Sequence, residues 1–286
     1  MVTRVRLPAR HADAGHHPES ERDGPAVSGG LVKSADRVLQ IFELIAAQGP
    51  LTFSEVVVAL GLPASSTHNL LKTLEHRRYL VLHADDRRYD LGLRLWEVAQ
   101  RYAANDDLPR LAQPIMDRVV GLTGETVQLA RLDGIENVYL AISESPQPMK
   151  LVSSVGKRLY AHATGLGKVL LAGLDEREVR RRLERVDLPS FTENTVVDHD
   201  AIVLNLREVR AQGYATDNEE YVIGCRCVAM PVRNVSGAVV AAMSVSIPTP
   251  RYNDMVAANV QKALTDAVTE LSARLGYLAA PEVLSA

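Results

Sequence analysis

The pattern of apolar and polar residues between residues 51 and 91 predicts two short helices joined by a tight turn. Thr52 and Glu55, three residues apart, form a capping box at the start of the first helix. Gly61, Leu62 and Pro63 end this helix, because Gly suits a left-handed C′ position and Pro disfavours the α conformation in the residue before it. The apolar residues of the helix share one face at helical spacing: Val56, Val57 and Leu60.

The second helix is predicted over residues 64–77, and the residues after it alternate as strands do. Two strands are predicted, over residues 79–82 and 88–91. Two helices joined by a Gly-containing turn make a helix-turn-helix, and the hairpin after them makes it winged. A further helix, predicted over residues 31–48, packs across the other two. The sequence therefore predicts a winged helix-turn-helix DNA-binding domain over residues 31–91.

The exposed positions predicted for the second helix carry short donors and acceptors followed by one cation. They are Ser65, Ser66, Thr67, His68, Asn69 and Lys72. A recognition helix presents such N-terminal residues to base edges and phosphates, and an Asn amide pairs bidentately with adenine. Taken alone, the Ser-Ser-Thr run is also explained as an N-cap cluster, with His68 and Asn69 on an ordinary solvated face. The order of turn, helix and hairpin favours DNA binding.

The charge balance bears on how this domain would hold DNA. The chain has a net charge of −3, and residues 31–95 contain eight Lys or Arg against seven Asp or Glu, which is not the usual basic footprint. The cations nevertheless lie near the predicted helix and wing, and Lys33, Arg87 and Arg88 are candidates for DNA contacts. Weak charge per chain favours a homo-oligomer, because two half-sites double the phosphate contacts.

The remainder of the chain predicts an α+β domain. A connecting helix is expected over residues 92–105, and the domain follows over residues 106–286. Trp96, the only Trp, is predicted to anchor an interdomain or dimer contact. Consecutive strands with helices segregated between them are typical of an α+β fold with an antiparallel sheet. The strands are expected at residues 126–131, 138–142, 150–155, 214–216, 227–232 and 239–247.

Composition narrows the possible compartments and cofactors. Residues 1–30 lack apolar periodicity and are predicted to be a disordered tail, without the apolar segment of a secretory signal. No apolar run is long enough to cross a membrane. Two cysteines and no export signal indicate the cytoplasm. No metal or other cofactor is expected.

Two motifs resemble a phosphate-binding loop and a metal site, but neither has the residues that such a site requires. The run Gly165-Leu166-Gly167-Lys168 lacks the spacing of a phosphate loop and the Ser or Thr that should follow the Lys. What it does predict is a small-residue loop before a helix, whose free N–H groups suit a carboxylate. Cys225 and Cys227 are too few for structural zinc, and no catalytic triad spacing is present. We therefore expect no catalytic residues and no enzyme.

Several motifs, in order along the chain, resemble those of the IclR-type bacterial transcriptional regulators. They are Val32 to Arg37, Leu62-Pro63 with Ser65 to His68, Arg88 to Gly92, His162 to Lys168 and Gly224 to Pro231. The chain departs from the family at Ala64 and Asn69, where the family usually has Lys and Arg. This departure bears on the operator sequence and leaves the fold untouched. The resemblance implies a GAF- or PAS-like effector-binding domain at the C-terminus.

The resemblance also implies where a small organic acid or aromatic effector binds. The matching positions are Gly165, Leu166, Asp217, Cys227, Ser244 and Ser246. Ser244 and Ser246 are two apart on one strand, so their hydroxyls share a face and need partners if buried. Cys225 and Cys227 are expected to alternate, with only one facing the ligand, and core packing explains Cys227 equally well. Lys150 and Arg158 are possible counter-charges.

The hypothesis is a regulator whose binding to double-stranded operator DNA is modulated by the effector through a population shift. The alternative is a small-molecule binding module or an enzyme that carries a vestigial winged helix. Salt-dependent, sequence-specific DNA binding distinguishes the two.

Overall fold

The computed structural model describes residues 5–6, 32–104 and 107–277. The chain divides between Asp107 and Leu108 into two compact units. The predicted disordered tail, residues 1–30, lies outside the described residues except for β1 (Val5–Arg6), which pairs in parallel with β7 (Leu151–Val152).

The first unit is a three-helix bundle with a small sheet. Its elements are α1 (Lys33–Gln48), β2 (Leu51–Thr52), α2 (Phe53–Leu60), α3 (Ala64–His76), β3 (Leu80–Leu82), β4 (Arg88–Leu91) and α4 (Leu93–Ala104). The predicted hairpin is present, and β2 joins it to give the antiparallel order β2-β4-β3. One core lies between the three helices and the sheet and includes Ile41, Ile45, Val56, Leu71 and Leu80.

The start and end of α2 follow the local sequence. Thr52 Oγ1 accepts the N–H of Glu55 at 3.3 Å, and a Glu55 carboxylate oxygen accepts the N–H of Thr52 at 2.7 Å. Gly61 caps the other end with φ 60°, a left-handed conformation that favours glycine. This tight turn sets the direction of α3 relative to α2.

The second unit is a six-stranded antiparallel sheet with helices on both faces. The strands are β5 (Thr126–Asp133), β6 (Glu136–Ser143), β8 (Arg158–Tyr160), β9 (Ala215–Asn218), β10 (Cys225–Arg233) and β11 (Val239–Pro248), in the order β8-β6-β5-β11-β10-β9. The helices are α5 (Leu108–Thr123), α6 (Gly165–Ala172), α7 (Glu176–Leu183), α8 (His199–Gln212) and α9 (Asp254–Arg274).

The two faces of the sheet bury separate cores. Alternate residues of a strand point to opposite faces, so Val228 and Met230 pack with α5 and α9, whereas Cys225 and Ala229 pack with α6 and α8. The strand expected over residues 150–155 is only β7, outside the six-stranded sheet, and β8 occupies the sheet edge instead. The run Gly165 to Lys168, expected to be a loop before a helix, is itself the first half of α6.

Candidate DNA interface and effector cavity

Helix α3 presents most of its predicted polar residues to solvent. Ser65, His68, Asn69 and Lys72 are exposed, and Ser66 is half-buried. The N-cap residue is Pro63, which makes no side-chain capping bond. The first N–H groups of α3 therefore have no cap acceptor and point along the helix axis, as they do in helix N-termini that bind phosphate. The Ser-Ser-Thr run follows the cap and does not form it.

Thr67 is placed differently from the prediction. Its side chain is fully buried, and its hydroxyl donates to the Pro63 carbonyl at 3.1 Å. Thr67, Leu71 and Leu74 are separated by four and three residues, so they share the face of α3 that packs in the core. The expectation that Thr67 faces solvent was wrong, and Thr67 positions the helix instead.

The cations around α3 divide into paired and solvent-directed side chains. Arg88 donates to both oxygens of Glu55, at 2.9 and 3.3 Å, and to the Pro50 carbonyl at 2.9 Å. This ion pair ties the wing strand β4 to the capping box of α2, and the hydrogen bonds to Thr52 and Arg88 lower the pKa of Glu55. Lys33 and Arg87 are exposed, at the start of α1 and in the wing turn.

The N-terminus of α6 is built by two local features. Thr164 caps the helix by accepting the N–H of Gly167 at 3.1 Å and donates to Asn137 Oδ1 at 2.8 Å. A Cβ at Gly167 would lie 2.2 Å from the backbone of Ala161, so only glycine lets the helix pack this closely. Gly165 and Leu166, the first two helical residues, have no acceptor within the helix for their N–H groups.

All six residues predicted to bind the effector line one cavity at this helix end. Gly165 and Leu166 come from α6, Asp217 from β9, Cys227 from β10, and Ser244 and Ser246 from β11. The remaining walls include Tyr139, Leu151, Leu159, Thr164, Tyr221 and Cys225. The cavity volume is about 20 Å³, which is room for about one water molecule.

The two serines are already hydrogen-bonded within the protein. Ser244 and Ser246 both donate to Gln128 Oε1, each at 3.1 Å. Gln128 is fully buried, and its Nε2 has no hydrogen-bond partner among the described residues. We did not predict Gln128, although a Gln in the apolar run of β5 was the available signal. Because the Gln128 amide oxygen accepts from both serines, each serine oxygen can still accept a hydrogen bond from another group. The Gln128 amide N–H groups can still donate.

Asp217 contributes a carboxyl group to the lining of this cavity. It is buried, and its Oδ1 accepts the N–H of Glu220 at 2.8 Å. Desolvation raises the pKa of Asp217 to about 7 from an ordinary 3.8, against the lowering effect of that hydrogen bond. The carboxyl is therefore partly protonated at neutral pH and can donate a hydrogen bond. Glu220, in the turn that follows Asp217, is buried as well.

Two further expectations about this site were wrong. Cys225 and Cys227 both line the cavity, because residues two apart on a strand share a face. Cys227 Sγ lies 3.3 Å from Ser246 Oγ, and hydrogen bonding to Cys225 and burial raise the pKa of the Cys227 thiol. The proposed counter-charges lie elsewhere, since Lys150 pairs with Glu144 and Arg158 with Glu136.

Other kinds of site are not found among the residues that the structure describes. Within residues 32–104 and 107–277, no helix is long and apolar enough to cross a membrane. Over the same part of the chain, no group of three or more His, Cys, Asp or Glu side chains is arranged to hold a metal ion.

Comparison with known proteins agrees with both halves of this description. Residues 34–83 match the family described as the IclR helix-turn-helix domain, and residues 100–273 match the bacterial transcriptional regulator IclR C-terminal family. The chain is 37% identical over 248 residues to the HTH-type transcriptional regulator XynR of Escherichia coli, covering 86% of this chain and 98% of XynR. It is 34% identical over 247 residues to KdgR of the same organism, covering 85% and 94%.

Solved structures give the same result. An IclR homologue from Microbacterium hydrocarbonoxydans, complexed with 4-hydroxybenzoate, matches with TM-score 0.71 and 27% identity over 85% of this chain and all of that one. The IclR of Thermotoga maritima matches with TM-score 0.70 and 28% identity, covering 86% of this chain and 99% of its own. The chain belongs to the IclR family of bacterial transcriptional regulators, DNA-binding proteins that carry a C-terminal ligand-binding domain.

Proposed function

We propose that α3 reads operator DNA through the exposed residues of its N-terminal half. Ser65, Ser66, His68 and Asn69 contact base edges or nearby phosphates, and Lys72 contacts the backbone. This assignment is supported by the exposure of Ser65, His68, Asn69 and Lys72, and the partial exposure of Ser66, beside a helix N-terminus whose N-cap makes no side-chain bond. Thr67 is left out because it is buried.

Lys33 and Arg87 are assigned to phosphates on either side of α3, because both are exposed cations in the same unit. The Arg88 guanidinium is engaged by Glu55 and the Pro50 carbonyl, so we assign Arg88 to holding the wing in place. In this arrangement Arg88 affects DNA binding indirectly, through the position of Arg87.

The DNA proposal is tested with Asn69→Ala and Lys72→Ala on a fragment upstream of the chain's own gene. Lys72→Ala should weaken binding uniformly across sequences and reduce the slope of log affinity against log salt by about 1. Asn69→Ala should relax sequence preference, with a loss of about 1–3 kcal/mol on the preferred site. Lys262→Ala, an exposed cation of the other unit, is the control. An unchanged salt slope in Lys72→Ala would remove that residue from the interface.

We propose that the effector is a small carboxylate or aromatic acid held in the α6 cavity. The single observation that carries this is that one cavity gathers the helix N–H groups of Gly165 and Leu166, the buried carboxyl group of Asp217 with its raised pKa, and the serine pair. Each offers a hydrogen bond suited to an oxyanion or hydroxyl. The 4-hydroxybenzoate bound by the Microbacterium homologue is of this chemical class.

The size of the cavity gives a mechanism for regulation. A volume of about 20 Å³ holds one water and no organic acid. An effector must therefore bind a second arrangement in which the cavity walls have moved apart. A ligand that binds only the opened arrangement shifts the population toward it by its differential affinity. We propose that this opening alters the spacing of two recognition helices in the oligomer.

A thermal-shift screen of small carboxylates and aromatic acids tests the effector proposal. A ligand at a hundred times its Kd raises the stability of the native state by about 2.7 kcal/mol. Ser246→Ala, which removes one of the two hydroxyls, should reduce the shift, while Ser154→Ala, an exposed serine of the same unit, should leave it unchanged. The same ligand should change operator binding. Equal shifts in both variants would place the ligand outside this cavity.

We propose that the regulator acts as a homo-oligomer through α4. Leu93 and Trp96 are three residues apart and so lie on one side of this helix; they expose 71% and 60% of their surface, and exposed apolar surface of this kind marks protein interaction sites. Trp96→Ala and Leu93→Ala should shift the mass measured by light scattering toward the monomer and weaken operator binding together. A monomeric wild-type chain at micromolar concentration would contradict the proposal.

A further inference from the structure

A second cavity in the C-terminal unit, of about 290 Å³, shares no lining residue with the effector cavity. It lies beside α6 and α8, and its volume is near the lower end of small-ligand pockets, roughly 300–1,000 Å³. Its apolar wall is formed by α8, including Ile202 and Leu206. Its polar lining consists of His162, Lys168, Asn194, Asn205, Asn218 and Glu220.

A buried ion pair forms part of its polar wall. Lys168 Nζ lies 2.5 Å from Glu220 Oε1 and 3.0 Å from the Thr216 carbonyl, and the N–H of Asn218 also donates to Glu220 Oε1 at 3.2 Å. Glu220 Oε2 has no hydrogen-bond partner among the described residues, although Glu220 is only 7% exposed. Buried carboxylate oxygens are normally satisfied, so this oxygen lacks a partner that an occupant of the adjoining cavity would supply.

His162 offers a second unpartnered acceptor. Its Nε2 lies 3.1 Å from the Pro189 carbonyl, so Nε2 carries the hydrogen and Nδ1 is left with a lone pair. Nδ1 is buried and has no partner within the part of the chain that the structure describes. Burial lowers the pKa of His162, which favours this neutral tautomer at physiological pH.

The charged and polar groups around this cavity determine which kind of molecule it can bind. A cation would meet the Lys168 ammonium, and an anion would meet Glu220 Oε2 and the His162 lone pair, so neither charge is favoured. A neutral hydroxyl donates to the two acceptors and accepts from an ammonium or an Asn amide. We infer that this cavity binds a neutral polyhydroxylated small molecule, such as a monosaccharide or an open-chain sugar alcohol.

The two cavities meet at one turn, which is why the test must tell them apart. Glu220 lines the second cavity, and its N–H donates to Asp217, which lines the effector cavity. The inference itself depends on neither the operator nor the effector proposed above. A polyol that entered the effector cavity would be detected by a serine variant there.

Binding is measured by saturation-transfer NMR and calorimetry on the full chain, with xylose, glucose and sorbitol as probes. At least one probe should bind saturably. Ala201→Phe, on α8 at the cavity wall, fills part of the space, leaves both residues of the ion pair unchanged in the sequence, and should weaken binding at least about tenfold. Leu204→Phe, an exposed position of the same helix, should bind as the wild type does. Ser246→Ala should also bind normally.

Asn205→Ala provides a second test in case Ala201→Phe does not fold, because it only removes a half-buried amide. It too should weaken binding, with an unchanged circular dichroism spectrum. The inference is overturned if none of the three probes binds the wild type, or if Ala201→Phe and Asn205→Ala fold and bind normally. Loss of binding in Ser246→Ala would place the polyol in the effector cavity and overturn it as well.

Discussion

Replacing Asp217 by Asn isolates the effect of one buried carboxyl group on stability. The Asn side chain has the same shape, and its Oδ1 can still accept the N–H of Glu220, as Asp217 Oδ1 does at 2.8 Å. The variant therefore resembles the protonated form of the acid and cannot ionise. Comparing the two chains across pH measures only what ionisation of Asp217 does to the folded state.

The magnitude follows from the pKa. The folded state raises the pKa of Asp217 from 3.8 to about 7, so folded protein binds this proton more tightly than unfolded chain does. The free energy of unfolding is then highest below pH 3.8 and falls as pH rises toward about 7, by roughly 4 kcal/mol in total. Between about pH 5 and about pH 8 the loss is roughly 2.5 kcal/mol.

Urea denaturation of the full chain at several pH values in this window provides the measurement. The stability of Asp217→Asn minus that of the wild type should grow with pH by roughly 2.5 kcal/mol. Asp187→Asn, an exposed acid in the same unit, controls for the change in net charge. A difference that stays flat or shrinks as pH rises would refute the argument that burial keeps Asp217 protonated.

The affinity of the protein for its effector should also depend on the protonation state of Asp217. If neutral Asp217 donates to an effector carboxylate, affinity falls as pH rises above about 7, by up to about tenfold per pH unit. Asp217→Asn keeps an N–H donor and should remove this dependence. A wild-type affinity that is constant from about pH 6 to about pH 9 would exclude Asp217 as the donor to the effector.

Two other substitutions test the packing of the C-terminal unit by urea denaturation. Gly167→Ala places a Cβ 2.2 Å from backbone atoms and should destabilise the unit by at least about 1–3 kcal/mol; Gly121→Ala, with open space around its Cβ, should not, and equal stabilities would refute the close approach. Arg251→Ala removes the bidentate partner of buried Glu125, bound at 2.6 and 2.7 Å, and should cost about 3–5 kcal/mol. Arg274→Ala, in an exposed pair, should cost about 1 kcal/mol or less, and similar losses in both Arg variants would contradict the argument.

Much of the fold was predictable because short-range interactions decide it. Helix α2 and the turn after it were predicted correctly, because they depend on residues close together in the sequence. These are the capping box of Thr52 and Glu55 and the left-handed Gly61. The spacing of Ser244 and Ser246 places both hydroxyls on one face in any extended strand. Thr67 also follows helical spacing, since it lies four residues before Leu71 on the buried face of α3. The polar residues next to it in the sequence made this apolar face hard to recognise.

What the sequence by itself determined is therefore the order and type of most of the elements, together with the residues that share a face. The tertiary structure decided the partners of Ser244, Lys168 and Asp217, because each partner lies on another segment or in a turn whose burial depends on the whole sheet. Gln128 is 116 residues from Ser244, and Glu220 is 52 from Lys168. Desolvation of Asp217 likewise arises only when α6 closes over the sheet. Periodicity reports which side of an element is buried, and only the packed chain determines what each buried group meets.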